Sequence, residues 1–230
     1  MGGYGASFNR LLGSLQGDWD VWTVNPPGHG PSLTTPEERL DDLIAHYRAC
    51  LGPIFRPDAV FFGHSMGAVV AYHVAAALAD DPLFAGRAPS LLVLAASAAP
   101  RDLAVAGCAD LDDDALLEHL RRFGAIPDAV AAERSLLDLF LPSFRADYRI
   151  LDQARVLPPV PLDVPAWLVL GSEDPHTPAG TPWAWADYLA DEPLTHVIPG
   201  AGHMFVVDPV EHRELAGLLD DAAGFLVGIG

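Results

Sequence analysis

The chain has 230 residues, 50% of them apolar and 19% charged, a composition that excludes a disordered or fibrous protein and is enough for one domain with a large core. Its formal net charge of -18, with 13 basic residues that are all arginine, argues against nucleic acid and anionic membranes as partners; the acidity itself reads as solubility. Two cysteines, Cys50 and Cys108, give neither a disulfide framework nor a metal-ligand cluster, which suits a reducing cytoplasm. No charged-then-apolar leader is readable, and no apolar run reaches membrane-spanning length.

In chain order, Met1 to Phe8 is a glycine-rich loop that runs into a helix over about 7–15. Residues 19–25 read as a strand, closed by the turn cluster Pro26-Pro27-Gly28-His29-Gly30-Pro31. Residues 36–51 read as an amphipathic helix, with Thr35 as cap, Glu37 and Glu38 in the first turn, and Leu40, Leu43, Ile44 and Tyr47 at helical spacing. A strand over 59–62 leads through a tight turn into an alanine-rich helix over 68–79, and 91–96 is a continuous apolar run of the kind buried parallel strands show.

The pattern then changes. Residues 112–123 form a helix opened by aspartates and closed by Arg121-Arg122 before Gly124. Short helices follow over 127–134 and 135–141, and another over 143–155. No strand is expected across 101–161, so this segment reads as a helical lid inserted between core strands. A strand over 166–170, a helix over 182–189, a strand over 195–198 and a helix over 209–226 complete the chain. Strands alternating with helices predict an α/β fold with a mostly parallel sheet, built as one domain over 1–230 with the lid at about 101–161.

The chemistry gathers at three places. Phe61-Phe62-Gly63-His64-Ser65-Met66-Gly67-Ala68 has the pattern G-x-S-x-G between a buried strand and an apolar helix. A serine at the apex of so sharp a turn needs glycines beside it, because side chains at Gly63 or Gly67 are expected to collide with strand and helix; the turn lifts the hydroxyl off the sheet, beside the N–H groups that open the helix. A serine needs a base, and the base needs a carboxylate to hold its tautomer. In α/β-hydrolases the chain order is serine, acid, histidine. Here Gly171-Ser172-Glu173-Asp174-Pro175 places two acids after a strand, and Gly200-Ala201-Gly202-His203 places a histidine in a glycine loop after the next. Of nine histidines, only His203 has the right order and the right loop; His64 is expected to point away from the hydroxyl and to pack. Asp174 is favoured over Glu173 because it lies further from the strand, with Glu173 then an exposed loop acid. An oxyanion hole needs two backbone N–H groups. Met66 supplies one, and the second is expected from the Met1-Gly2-Gly3 loop.

These residues resemble the type II thioesterases that accompany polyketide and nonribosomal peptide synthases. The resemblance spans nearly the whole chain and rests most specifically on the elbow and on Leu141-Pro142-Ser143-Phe144-Arg145-Ala146-Asp147-Tyr148 in the lid. It implies hydrolysis of acyl groups from the phosphopantetheine arm of a carrier protein, with Ser65 as nucleophile, His203 as base, Asp174 as orienting acid, and neither metal nor organic cofactor. It also implies that a strand precedes Gly2-Gly3, that Met1 stands at the second oxyanion donor's position, and that the true start lies upstream. Loss of that central strand would expose two strand edges. His29 stands where the family has arginine, so a contact at that turn is expected to be lost. A local basic patch for an acidic carrier is expected among Arg121, Arg122, Arg145, Arg149 and Arg155. The working expectation for assembly is a monomer. The rival readings are a general carboxylesterase, a chain-releasing domain of a larger synthase, and a silent binding protein on the same fold.

Overall fold

The computed structural model describes residues 2–32, 34–56, 58–79, 81–84, 88–124, 126 and 134–227. Four parallel strands lie in sequence order: β1 (Val60–His64), β2 (Leu91–Ala95), β3 (Ala166–Gly171) and β4 (Leu194–Ile198). Every residue of β2 and β3 is buried. That burial follows from alternation: Leu91, Val93 and Ala95 face one apolar cluster while Leu92 and Leu94 face another. The first cluster is completed by Leu11 of α1 (Asn9–Leu12) and by Leu215, Ala216 and Leu219 of α7 (His212–Val227). The second is completed by Ala68, Tyr72 and Ala75 of α3 (Met66–Ala79) and by Trp185 of α6 (Thr181–Trp185).

A third cluster joins α3 and α2 (Leu40–Leu51) to the lid helices α4 (Asp113–Arg122) and α5 (Arg134–Val156). Asp112 caps α4, accepting from the Ala115 N–H at 2.8 Å. The separate helices expected over 135–141 and 143–155 are instead one helix that runs through Pro142. Proline inside a helix costs about 3 kcal/mol. Leu137, Leu141, Phe144, Tyr148 and Leu151 line one buried stripe across it. At roughly 1.5–3 kcal/mol per large buried side chain, that stripe outweighs the break.

Two other expectations fail for tertiary reasons. α2 begins at Leu40, not near Pro36, and Thr35 does not cap it. Pro36 packs against Gly28, and the Leu40 N–H is satisfied from a distance by Gln153 Oε1 of α5 at 3.0 Å. Residues 19–25 have no regular secondary structure and belong to no ladder, and among the described residues the outer edge of β1 has no neighbour either. A strand exists only where a partner accepts its hydrogen bonds. Side chains tether the segment instead: Asp220 accepts from Gln16 N, Gly17 N and Trp19 Nε1, and Asn25 Oδ1 accepts from Gly5 N. The helix expected over 127–134 lies outside the described residues except at Arg134, which opens α5, and Met1 lies outside them too. Among the described residues no helix is long and apolar enough to cross a membrane.

Candidate active site

β1 delivers Ser65 to the carboxyl edge of the sheet. The residue sits at φ 56°, a left-handed conformation that costs a non-glycine residue roughly 1–3 kcal/mol. The turn is held by the Ser65 N–H donating to Ala95 O at 2.8 Å. Gly63 is what makes the turn possible: a Cβ there would lie 2.2 Å from Gly67 O. Gly67 was expected to be equally constrained, but a Cβ there meets nothing within 4 Å, because it points off the helix into open space. Met66 opens α3, so its N–H has no carbonyl one turn back within the helix to bond.

The other two residues arrive from the ends of β3 and β4. Gly171 lets the two loops touch, since a Cβ there would lie 2.3 Å from Ala201 O. The Glu173 N–H donates to Ala201 O at 2.9 Å, which locks the acid loop to the histidine loop. His203 Nε2 then lies 3.0 Å from Ser65 Oγ, and His203 Nδ1 lies 2.9 Å from Asp174 Oδ2. Because the carboxylate only accepts, Nδ1 carries the proton and Nε2 is free to take one from the serine. Burial pushes the Asp174 carboxyl upward, but the bond from His203, its charge and the His176 N–H to Oδ1 at 2.8 Å outweigh it, so Asp174 stays below the usual carboxylate range. Glu173, exposed in the loop, does not reach His203.

His64 points away from the hydroxyl, but it does more than pack. Its Nε2–H donates to the backbone carbonyl of His203 at 2.8 Å, and its ring lies 5.4 Å from those of His203 and Phe205. Burial, with the neighbouring His203, pushes its pKa down to about 3, so it is a neutral donor. Above the triad, Phe123 at the end of α4 stacks on His176 at 3.9 Å and meets His203 edge-on at 4.7 Å. Ser65 and His203 are only 9% and 8% exposed. Neither this roof nor the His64 bond has a sequence signal, since each joins loops far apart in the chain. Concavity misleads as well: a cleft of about 490 Å³ lined by Arg48, Phe55, Asp81 and Phe84 shares no residue with the triad.

The 27–30 turn meets the lid helix through His29. His29 Nε2 lies 3.0 Å from Asp147 Oδ1. Among the lid arginines, Arg145 is an internal staple, donating to Ala109 O at 2.5 Å, Leu111 O at 2.6 Å and Asp113 Oδ1 at 2.7 Å. Arg122 pairs with Glu118, Arg149 with Glu38 and Arg155 with Asp152. Among the described residues no group of acidic, histidine or cysteine side chains could hold a metal ion.

A family model described as "Thioesterase domain" matches residues 1–221. The chain belongs to the thioesterase family. It is 27% identical over 209 residues to the thioesterase PikA5 of Streptomyces venezuelae, covering 90% of this chain and 73% of that one. Among solved structures it is similar to the RedJ thioesterase from the prodiginine biosynthetic pathway in Streptomyces coelicolor, with a TM-score of 0.84 and 28% identity over 96% of this chain and 86% of that one. The type II thioesterase BorB from the borrelidin biosynthetic cluster gives a TM-score of 0.81 and 26% identity over 96% and 88%. The fold of this thioesterase is thus the α/β-hydrolase fold expected from the sequence.

Proposed function

We propose that this thioesterase removes acyl groups from the phosphopantetheine arm of carrier proteins in polyketide or nonribosomal peptide synthesis, as an editing or releasing enzyme acting in the cytoplasm. The observation that carries the reading is the hydrogen-bonded line Ser65–His203–Asp174, at 3.0 and 2.9 Å, in a chain of the thioesterase family. Ser65 Oγ attacks the thioester carbonyl as His203 Nε2 takes its proton. The oxyanion is held by the Met66 N–H and by a second donor from the N-terminal loop, for which Met1 is the proposed source. The Gly2 N–H is not that donor, because Asp147 Oδ2 already accepts it at 2.7 Å. The C–S bond breaks as the proton on His203 passes to the leaving thiolate. Water, deprotonated by His203, then cleaves the acyl-serine to give the free acid. Asp174 stays ionised throughout and stabilises the imidazolium.

The chain acts as one domain, with the segment at about 101–161 as its lid, and as a monomer. For carrier docking, the exposed Arg122 is a better candidate than Arg145, whose hydrogen bonds are internal. The deciding experiment loads a short acyl group on a phosphopantetheinylated carrier and follows its loss by intact mass, beside hydrolysis of the matching p-nitrophenyl ester. Preference for the carrier thioester supports the reading. Ester hydrolysis with the carrier left loaded replaces it with a general carboxylesterase. Ser65→Ala is expected to remove nearly all turnover of either substrate.

A further inference from the structure

The geometry points to His29 and Asp147 as positioning residues: a single buried carboxylate of the lid helix, paired with His29, holds the N-terminal loop and the 27–30 turn in place around the reaction site. Asp147 is 2% exposed and His29 is 5% exposed, and neither belongs to the triad. Both oxygens of Asp147 are used. Oδ2 accepts the Gly2 N–H at 2.7 Å, and Oδ1 faces His29 Nε2 at 3.0 Å. On its other side, His29 Nδ1 lies 2.9 Å from the carbonyl of Pro27. A carbonyl and a carboxylate both only accept, so the two neighbours together favour the ring with hydrogen on both nitrogens. The Nε2–H is not aligned on the carboxylate oxygen, so the contact is chiefly charge on charge. In so buried a place that charge matters: remove it and Asp147 keeps only the Gly2 N–H as a partner.

Two neighbours on α5 complete the attachment. Ser143 Oγ donates to Gly28 O at 2.6 Å. The Phe144 ring lies against Gly2, where a Cβ would come within 2.6 Å of it, and Gly2 itself sits at φ 64°. Phe144 and Tyr148 belong to the cluster on which Met66 packs, directly after the nucleophile. One turn of α5 therefore bears on the N-terminal loop, the 27–30 turn and the residue that follows Ser65. The inference rests on the proposed function to this extent: the loop at Gly2 matters to turnover because it carries an oxyanion donor.

The charged group facing His29 is Asp147 of α5, and Tyr47 of α2 and Tyr148 of α5 feel Asp147. Burial lowers the His29 pKa, but the contact with Asp147, its charge and the Pro27 carbonyl raise it above the usual histidine value. A cation held by a raised pKa is fully present below the unfolded-state value and is lost as pH rises through the folded-state value. Loop order, and with it kcat, should fall on the alkaline side.

The test measures kcat and KM for the short acyl ester from about pH 6 to about pH 10 in wild type, His29→Arg and Asp147→Asn, with thermal midpoints alongside. The wild type is expected to show an alkaline fall in kcat with KM little changed. His29→Arg, whose charge does not titrate, is expected to lose that fall. Asp147→Asn is expected to lower kcat about tenfold with KM within about twofold. No alkaline fall in the wild type, a fall that persists in His29→Arg, or a lowered thermal midpoint with unchanged kcat in Asp147→Asn would each overturn the proposal. If the variants do not fold, NMR titration of the His29 ring in the wild type decides: a midpoint above 6.5 supports it, and one at or below 6.5 overturns it. Carrier preference tests the function at one pH, and the His29 titration needs no turnover, so the two ideas fail separately.

Discussion

The imidazole of His64 donates a 2.8 Å hydrogen bond to the backbone carbonyl of His203, so the residue before the nucleophile fixes the loop that carries the base. His64→Phe keeps the ring's bulk and removes the donor. It is expected to lower kcat about tenfold with little change in KM, and His64→Gln, which restores a donor, should recover part of that loss. Equal kinetics for the two variants would show that only packing matters there.

The same residue makes a pH prediction. With its folded pKa depressed to about 3, His64 stays neutral in the native state while the unfolded chain protonates near 6.5. The unfolded state therefore binds more protons between those values, and stability falls as pH drops through that window. His73, lowered to about 4 by burial, adds in the same direction. Urea unfolding of wild type and His64→Gln at about pH 7 and about pH 5 should show a smaller acid loss in the variant.

Asp174 acts in the same direction, at lower pH. Its pKa is held below the usual carboxylate value, so its stabilising contribution is present above about pH 4 and is lost as pH falls through the folded-state value. Asp174→Asn leaves the shape but removes the charge that fixes the His203 tautomer. A fall in kcat of about 10⁴-fold is expected, by analogy with serine hydrolases generally. A loss below about tenfold would mean that another group orients His203.

Gly63 and Gly67 look alike in the motif and differ in space. Gly63→Ala drives a methyl to 2.2 Å from backbone, and a destabilisation of about 3 kcal/mol or more is expected. Gly67→Ala meets nothing within 4 Å and lies in α3, so a gain of about 0.5–1 kcal/mol from helix propensity is expected. Chemical denaturation of the two variants checks both signs.

Phe123 covers His203 edge-on at 4.7 Å and is itself stacked on His176. Phe123→Ala should open the approach to Ser65. Esters with bulky acyl groups are expected to gain about tenfold in kcat/KM relative to acetyl esters. An unchanged ratio would place the acyl group elsewhere.

The sequence by itself determined the elements whose signals are local. The apolar runs of β2 and β3, the Asp112 cap of α4 and the G-x-S-x-G turn can all be read from neighbouring residues, because burial, capping and tight turns are set within a few positions. The chain order of Ser65, Asp174 and His203 could also be read, and parallel strands with short loops bring such residues to one sheet edge. Tertiary structure decided the rest. Residues 19–25 have strand composition but no neighbour to accept their hydrogen bonds, and α5 runs through Pro142 because its buried stripe outweighs the lost bond. α2 starts where Gln153, distant in sequence, satisfies its first N–H. The bond from His64 to the His203 carbonyl, the Phe123 roof and the ion pair of His29 with Asp147 each join residues separated by dozens of positions. Such contacts leave no periodic trace in a single sequence, since their energy depends on distance in space and on exclusion of water.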